Sequence, residues 1–124
     1  MEKLIWIAAA GAAGTLARYG VATLVQRQTA SGFPWGIFAA NMAGSFLFGV
    51  VWSLSEERGW IGEDARLYVL VGFMGAFTTF STFAFDNAQL IRAENWPWLA
   101  LNLGLTNVAG ILLMFAGFRA ARLF

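Results

Sequence analysis

Four long apolar stretches, separated by short charged or polar clusters, make up nearly the whole chain. The first covers 4–25, from Leu4 to Val25, and stops at Gln26-Arg27-Gln28. The second covers 35–54 and stops at Glu56-Glu57-Arg58, and the third, 67–91, follows Glu63-Asp64-Ala65-Arg66. The fourth covers 98–118 and is closed by Arg119 and Arg122. Each reaches the roughly 20 residues that a helix rising about 1.5 Å per residue needs to cross hydrocarbon. The pattern predicts an all-α membrane protein, a single domain over 1–124 with four transmembrane helices. Trp35, Trp60, Trp96 and Trp98 stand at the ends of these runs, where interfacial aromatics belong. Pro34 and Pro97 fall just ahead of a helix, where a missing N–H does least harm.

Composition agrees. Hydrophobic residues make up 59% of the 124 and charged residues 12%, half of what a globular domain carries. Almost nothing is left for a soluble domain. A net charge of +1 gives no footprint for nucleic acid. There is no Cys and no His, so disulfides, thiolate sites, and the commonest general base and zinc ligand are excluded. With no nucleophile–base pair and no metal-ligating cluster, the sequence does not read as an enzyme. Met1-Glu2-Lys3 ahead of Leu4–Ala13 has the start of a secretory leader, but the apolar run continues to Val25 and reads as a membrane span.

Four spans put both termini and the central loop on one side. That side carries Lys3, Arg58, Arg66, Arg119 and Arg122 against Arg27 and Arg92 on the other, a mild bias towards cytoplasmic termini. Acids on the same side (Glu2, Glu56, Glu57, Glu63, Asp64) bring its net charge close to zero.

An unpaired polar group in hydrocarbon is costly, so each one inside a span asks for a partner or a water-filled path. Arg18, two-thirds along the first span, either snorkels onto backbone carbonyls or serves as a fixed cation drawing anions towards a vestibule. Asn41 lies in the second span. Asn102, Thr106 and Gly110 follow i, i+4, i+8 and share one stripe of the fourth, as interhelical glue or as the wall of a pore. The third span is unusual: residues 72–82 contain two Gly and four hydroxyls, poor material for a continuous helix. A break at mid-membrane would free backbone groups, tolerated only where protein, water or an ion satisfies them. Phe77, Phe80 and Phe83 recur every three residues, and ring edges carry partial positive charge that can face an anion. Asp86 is the only carboxylate at membrane depth. Small-xxx-small pairs such as Ala10/Gly14, Ala13/Ala17 and Ala40/Gly44 permit close helix packing, and four short helices enclose no pore alone, so oligomerisation is expected.

These residues resemble the Fluc (CrcB) fluoride channels along nearly the whole length. Gly11-Ala-Ala-Gly14-Thr-Leu-Ala-Arg18 is similar to that family's Gly-rich first helix, and Asn41-Met-Ala-Gly44-Ser-Phe-Leu-Phe-Gly49 to its second-helix signature. The most specific match is Gly72-Phe-Met-Gly75-Ala-Phe-Thr78-Thr79-Phe80-Ser81-Thr82-Phe83. The resemblance implies an antiparallel, dual-topology homodimer with two fluoride pathways along the subunit interface. It further implies a third helix broken at the dimer centre, where carbonyls of Gly75 and Thr78 hold a structural Na⁺. Phe80, Phe83, Asn41, Ser81 and Thr82 would line the ion path, with Asn102 and Thr106 on a polar track. The chain departs from the family pattern at Gly110, which has no hydroxyl, and at Asp86, where Glu is usual. So read, it is a passive channel that lets cytoplasmic fluoride leave down its gradient. Its partners are fluoride, the lipid bilayer and a second copy of itself, with no obligatory protein partner. It would be a multi-pass protein of the cell membrane, the inner membrane if bacterial. A proton-coupled small multidrug transporter would need a carboxylate in the first span, where this chain has Arg18. A non-transporting scaffold would use the same polar residues only as glue.

Overall fold

The computed structural model describes residues 1–124, and the chain is helical except at its connections. Helix α1 is Glu2–Gln28 and α2 is Trp35–Glu56. The third span, Glu63–Arg92, is composite. Its first part, α3 (residues 63–77), starts as Glu63–Leu67, widens to a π-helix over Tyr68–Met74 and closes with Gly75–Phe77. Its second part, α4, is Phe80–Arg92, and the last helix, α5, is Trp96–Ala121. Four spans are thus long and apolar enough to cross a membrane.

Local chemistry sets the boundaries. Pro34 precedes the first turn of α2 and Pro97 sits within the first turn of α5, positions where no intrahelical N–H is needed. The Asn95 carboxamide caps α5 by accepting from the Trp98 N–H at 3.5 Å. The turn after α2 places Gly59 at φ 64, in the left-handed region that a residue without Cβ enters freely.

Helices meet through missing side chains. A Cβ at Gly14 would land on the Phe73 carbonyl, so α1 rests directly on the π-helical stretch. Gly49 and Gly117 do the same for α2 and α5, the most extensive helix pair. Such backbone approach is how helices associate where burial of apolar surface provides no drive. The small core consists of Ala40, Leu70, Met74 and Phe77. Only 19 of 124 residues are buried, while Leu16, Tyr19, Ile111, Leu112 and Phe115 point outward. A surface this apolar belongs against lipid or a second subunit.

The two ends differ. At the end holding the termini, Lys3 pairs with Asp64, Arg66 with Glu56, and Arg122 with Glu57 through two hydrogen bonds of 2.9 and 3.1 Å. The Arg122 hydrogen bond holds the Glu57 carboxyl below its usual range. Arg66 also lies 5.4 Å over the Trp52 ring. The opposite end has no ion pair. There Phe33, fully buried, touches the rings of Trp35, Phe38 and Trp98 at 4.5, 5.9 and 5.6 Å between centroids. Trp35 and Trp98 are therefore half-buried in a loop core, whereas Trp60 and Trp96 stay exposed at the ends of the bundle.

Candidate functional site: an interrupted helix beside a neutral groove

Between Phe77 and Phe80 the backbone is extended, with Thr78 at φ −87, ψ 156 and Thr79 at φ −151, ψ 120. The polar groups this frees are satisfied by specific side chains. The Asn41 carboxamide accepts from the Thr79 N–H at 2.9 Å and donates to the Thr79 carbonyl at 3.2 Å, so a side chain of α2 pairs with one residue's backbone as a neighbouring strand would. Thr79 then caps α4: its hydroxyl accepts from the Thr82 N–H at 3.2 Å and lies 3.2 Å from both the Ser81 and Thr82 hydroxyls. Thr78 closes α3 by directing its N–H and its hydroxyl to the Met74 carbonyl, at 3.0 and 2.9 Å. The Gly75 and Thr78 carbonyls accept no hydrogen bond from outside the helices. Gly44, one turn along α2 from Asn41, has no room for a Cβ, because the Thr78 methyl occupies that space.

Beside the interruption lies a groove of about 280 Å³. Asn41, Thr78, Phe80, Phe83 and Thr106 border it, so the structure brings together five of the residues singled out from sequence. No charged side chain is among its walls. Phe83 is 9% exposed and Phe80 79%, their rings 5.8 Å apart and tilted by 49°. Ser45 and Asn107 also line it, and the sequence reading did not pick them out. Ser45 was within reach of helical spacing, four residues from Asn41 on the same face.

Other candidates fall outside the groove. Asn102, 2% exposed, donates to the Asn87 carboxamide at 2.9 Å and accepts from the Thr106 hydroxyl at 3.0 Å, a buried ladder tying α4 to α5. Asn87 had no signal in the sequence beyond its type. Ser81 is exposed and Thr82 half-buried, both near the Thr79 cap. Gly75 is exposed, and a Cβ there would meet nothing nearer than the Leu70 carbonyl at 3.9 Å. Gly110 lies across from Ser45. Asp86 borders a second, larger cavity of about 790 Å³ with Arg27, Gln26, Gln89 and Asn95, and its Oδ2 is buried without a partner. Arg18 is half-buried and borders neither cavity; Arg27 is the cation at the mouth of the larger one.

The family model described as CrcB-like protein, Camphor Resistance (CrcB), matches residues 5–118. The chain belongs to the CrcB family. Among its relatives, the "Fluoride-specific ion channel FluC" of Nitrosococcus oceani is 48% identical over 122 residues, 98% of each chain. Proteins of the same name from Solidesulfovibrio magneticus and Maridesulfovibrio salexigens are 47% and 46% identical, each over 99% of this chain and 98% of its own. In this CrcB-family chain the interrupted segment, the groove and the larger cavity all lie within the matched region. The family is one of ion channels rather than enzymes, and the chain is a multi-pass membrane protein.

Proposed function

We propose that the chain is a passive, fluoride-selective channel that works as an antiparallel homodimer, with one pathway along each of two grooves. The observation that carries this reading is the neutral groove at the interrupted helix, walled by amide and hydroxyl groups and by two phenylalanine rings. Fluoride is small and strongly hydrated, so a selective path must replace its water with several donors in little space. Amides, hydroxyls and ring edges do this without a full cation, which would hold the ion too tightly to conduct. Near-full-length identity to relatives named as fluoride-specific channels supports the same substrate here.

Surface chemistry supports the dimer. Phe80 and Gly75 are exposed beside the interruption, in a segment far from either end of the bundle. A second copy laid against this face would cover both and close the groove. We place the interruption at mid-membrane, where only buried or ion-bound backbone is tolerated. The Thr78 carbonyl accepts no hydrogen bond and the Gly75 carbonyl none from outside its helix, and such oxygen donors fit a hard monovalent cation such as Na⁺ between the subunits. Bound there, the ion would tie the two interruptions together and raise the local potential for anions. Arg27 at the mouth of the larger cavity would concentrate anions ahead of the groove.

The test is fluoride release from liposomes containing the purified protein, read with a fluoride electrode against a chloride control. Rapid fluoride release with chloride retained supports the reading. Release of neither ion from folded, dimeric protein contradicts it.

A further inference from the structure

Nearly every polar side chain bordering the groove is already committed. Asn41 gives both ends of its amide to Thr79, Thr78 donates to the Met74 carbonyl, and Thr79 donates within its own cap. Thr106 donates to Asn102, and Asn107 to the Leu103 carbonyl at 2.7 Å. Asn41 and Asn107 each keep one further amide N–H, but among the hydroxyls the only uncommitted one is that of Ser45. A helical hydroxyl commonly turns back onto the carbonyl four residues earlier, as Thr15 does onto Gly11 at 3.0 Å. Ser45 does not, and it lines the groove half-buried rather than sealed in the core.

Across from it is Gly110. A Cβ at that position would stand 3.7 Å from the Ser45 Oγ and 3.5 Å from the Met42 Cε. Glycine therefore leaves the hydroxyl open, and a larger side chain would cover it. Ser45 lies one turn beyond Asn41 on the same face of α2, so the two line successive levels of the groove. Resting on the channel reading above, we infer that Ser45 donates a hydrogen bond to the passing anion and that Gly110 keeps this donor accessible. Both positions then determine how well the groove replaces fluoride's water.

Fluoride efflux from liposomes, with dimer assembly followed by size-exclusion chromatography, compares the wild type with Ser45→Ala, Ser45→Thr and Gly110→Val. A hydrogen bond to an ion is among the stronger kinds, so Ser45→Ala should slow efflux by about tenfold and raise the fluoride concentration at half-maximal flux. Ser45→Thr, which retains the hydroxyl, should recover most of the rate, a rescue that a packing role would not give. Gly110→Val should slow efflux by covering the donor; should it fail to assemble, the Ala/Thr pair decides alone. Wild-type efflux from Ser45→Ala, beside a conducting wild type, overturns this inference and leaves the channel reading standing. A wild type that releases no fluoride overturns both.

Discussion

The ion-paired end and the interrupted third span solve the same problem, unsatisfied polar groups, with opposite chemistry. At the end of the bundle full charges meet in exposed pairs, Lys3 with Asp64 and Arg122 with Glu57. Water screens such pairs and competes with them, and their worth to the fold is small. At the interruption no charge is used. One neutral carboxamide, Asn41, holds the N–H and carbonyl of an extended residue, and hydroxyls cap the helices on both sides. Without water these hydrogen bonds are expensive to lose, because the freed backbone has no alternative partner. The chain thus keeps its ion pairs at one end of the bundle and meets the interruption with neutral side chains alone.

Substitutions that sharpen this contrast differ widely in expected effect. The largest belongs to Gly44→Val, whose side chain would occupy the space of the Thr78 methyl and lie against the Phe77 ring. Forcing it in means moving the interruption itself. We expect flux to be abolished and the melting temperature in detergent to fall steeply, consistent with about 1–3 kcal/mol or more of overpacking. Gly75→Val is its counterpart, since a Cβ there meets nothing closer than 3.9 Å within the protomer. The protomer should fold normally while dimer assembly and its dependence on Na⁺ are impaired. A variant that keeps both would remove the case for a cation at these carbonyls.

Next are Phe80→Ile and Phe83→Ile, which preserve apolar bulk and delete the ring edge. Flux should fall with the dimer intact, and unchanged flux in both would count against rings as ion partners. Asn87→Leu breaks the ladder by leaving the buried Asn102 carboxamide without its acceptor. A loss of about 1–3 kcal/mol, read as a lower melting temperature, is expected from one orphaned buried polar group.

The smallest effect belongs to the ion-paired end. Glu57 has its carboxyl pKa lowered from 4.5 by the Arg122 hydrogen bond. A lowered folded-state pKa gives a contribution that is complete above the unfolded value and lost as pH falls through the folded one. Glu57→Gln should therefore alter melting only slightly at neutral pH, and the difference from wild type should vanish in acid below the lowered value. Its flux should be unchanged.

Much of this was legible in the sequence, for identifiable reasons. Hydrocarbon thickness fixes span length, so four apolar runs bounded by charges give the helices. The cluster of Gly and hydroxyls at 72–82 marks the place where the third span leaves helical geometry. Asn41, Phe83 and Thr106 meet in one groove because each lies on a face turned towards the bundle, and the exposed Phe80, one turn from Phe83, forms the groove's outer edge. The π-helical turns at Tyr68–Met74, which lie against Gly14 of α1, were not legible, because no residue preference marks such a widening. Nor was the bonding of Asn41 to Thr79, which joins positions 38 apart and depends on the relative height of two helices. Asn87 escaped for the same reason. Its role exists only once Asn102 is known to lie opposite.

The most direct test is fluoride efflux from liposomes bearing Asn41→Leu, measured beside Glu57→Gln, with dimer content determined for each. Leucine preserves the branched skeleton of asparagine and removes both hydrogen bonds to Thr79. The predicted result is that Asn41→Leu loses nearly all fluoride flux, whereas Glu57→Gln conducts like the wild type. An Asn41→Leu dimer with wild-type flux would contradict the account, because the groove would then conduct without the group that holds its helix apart.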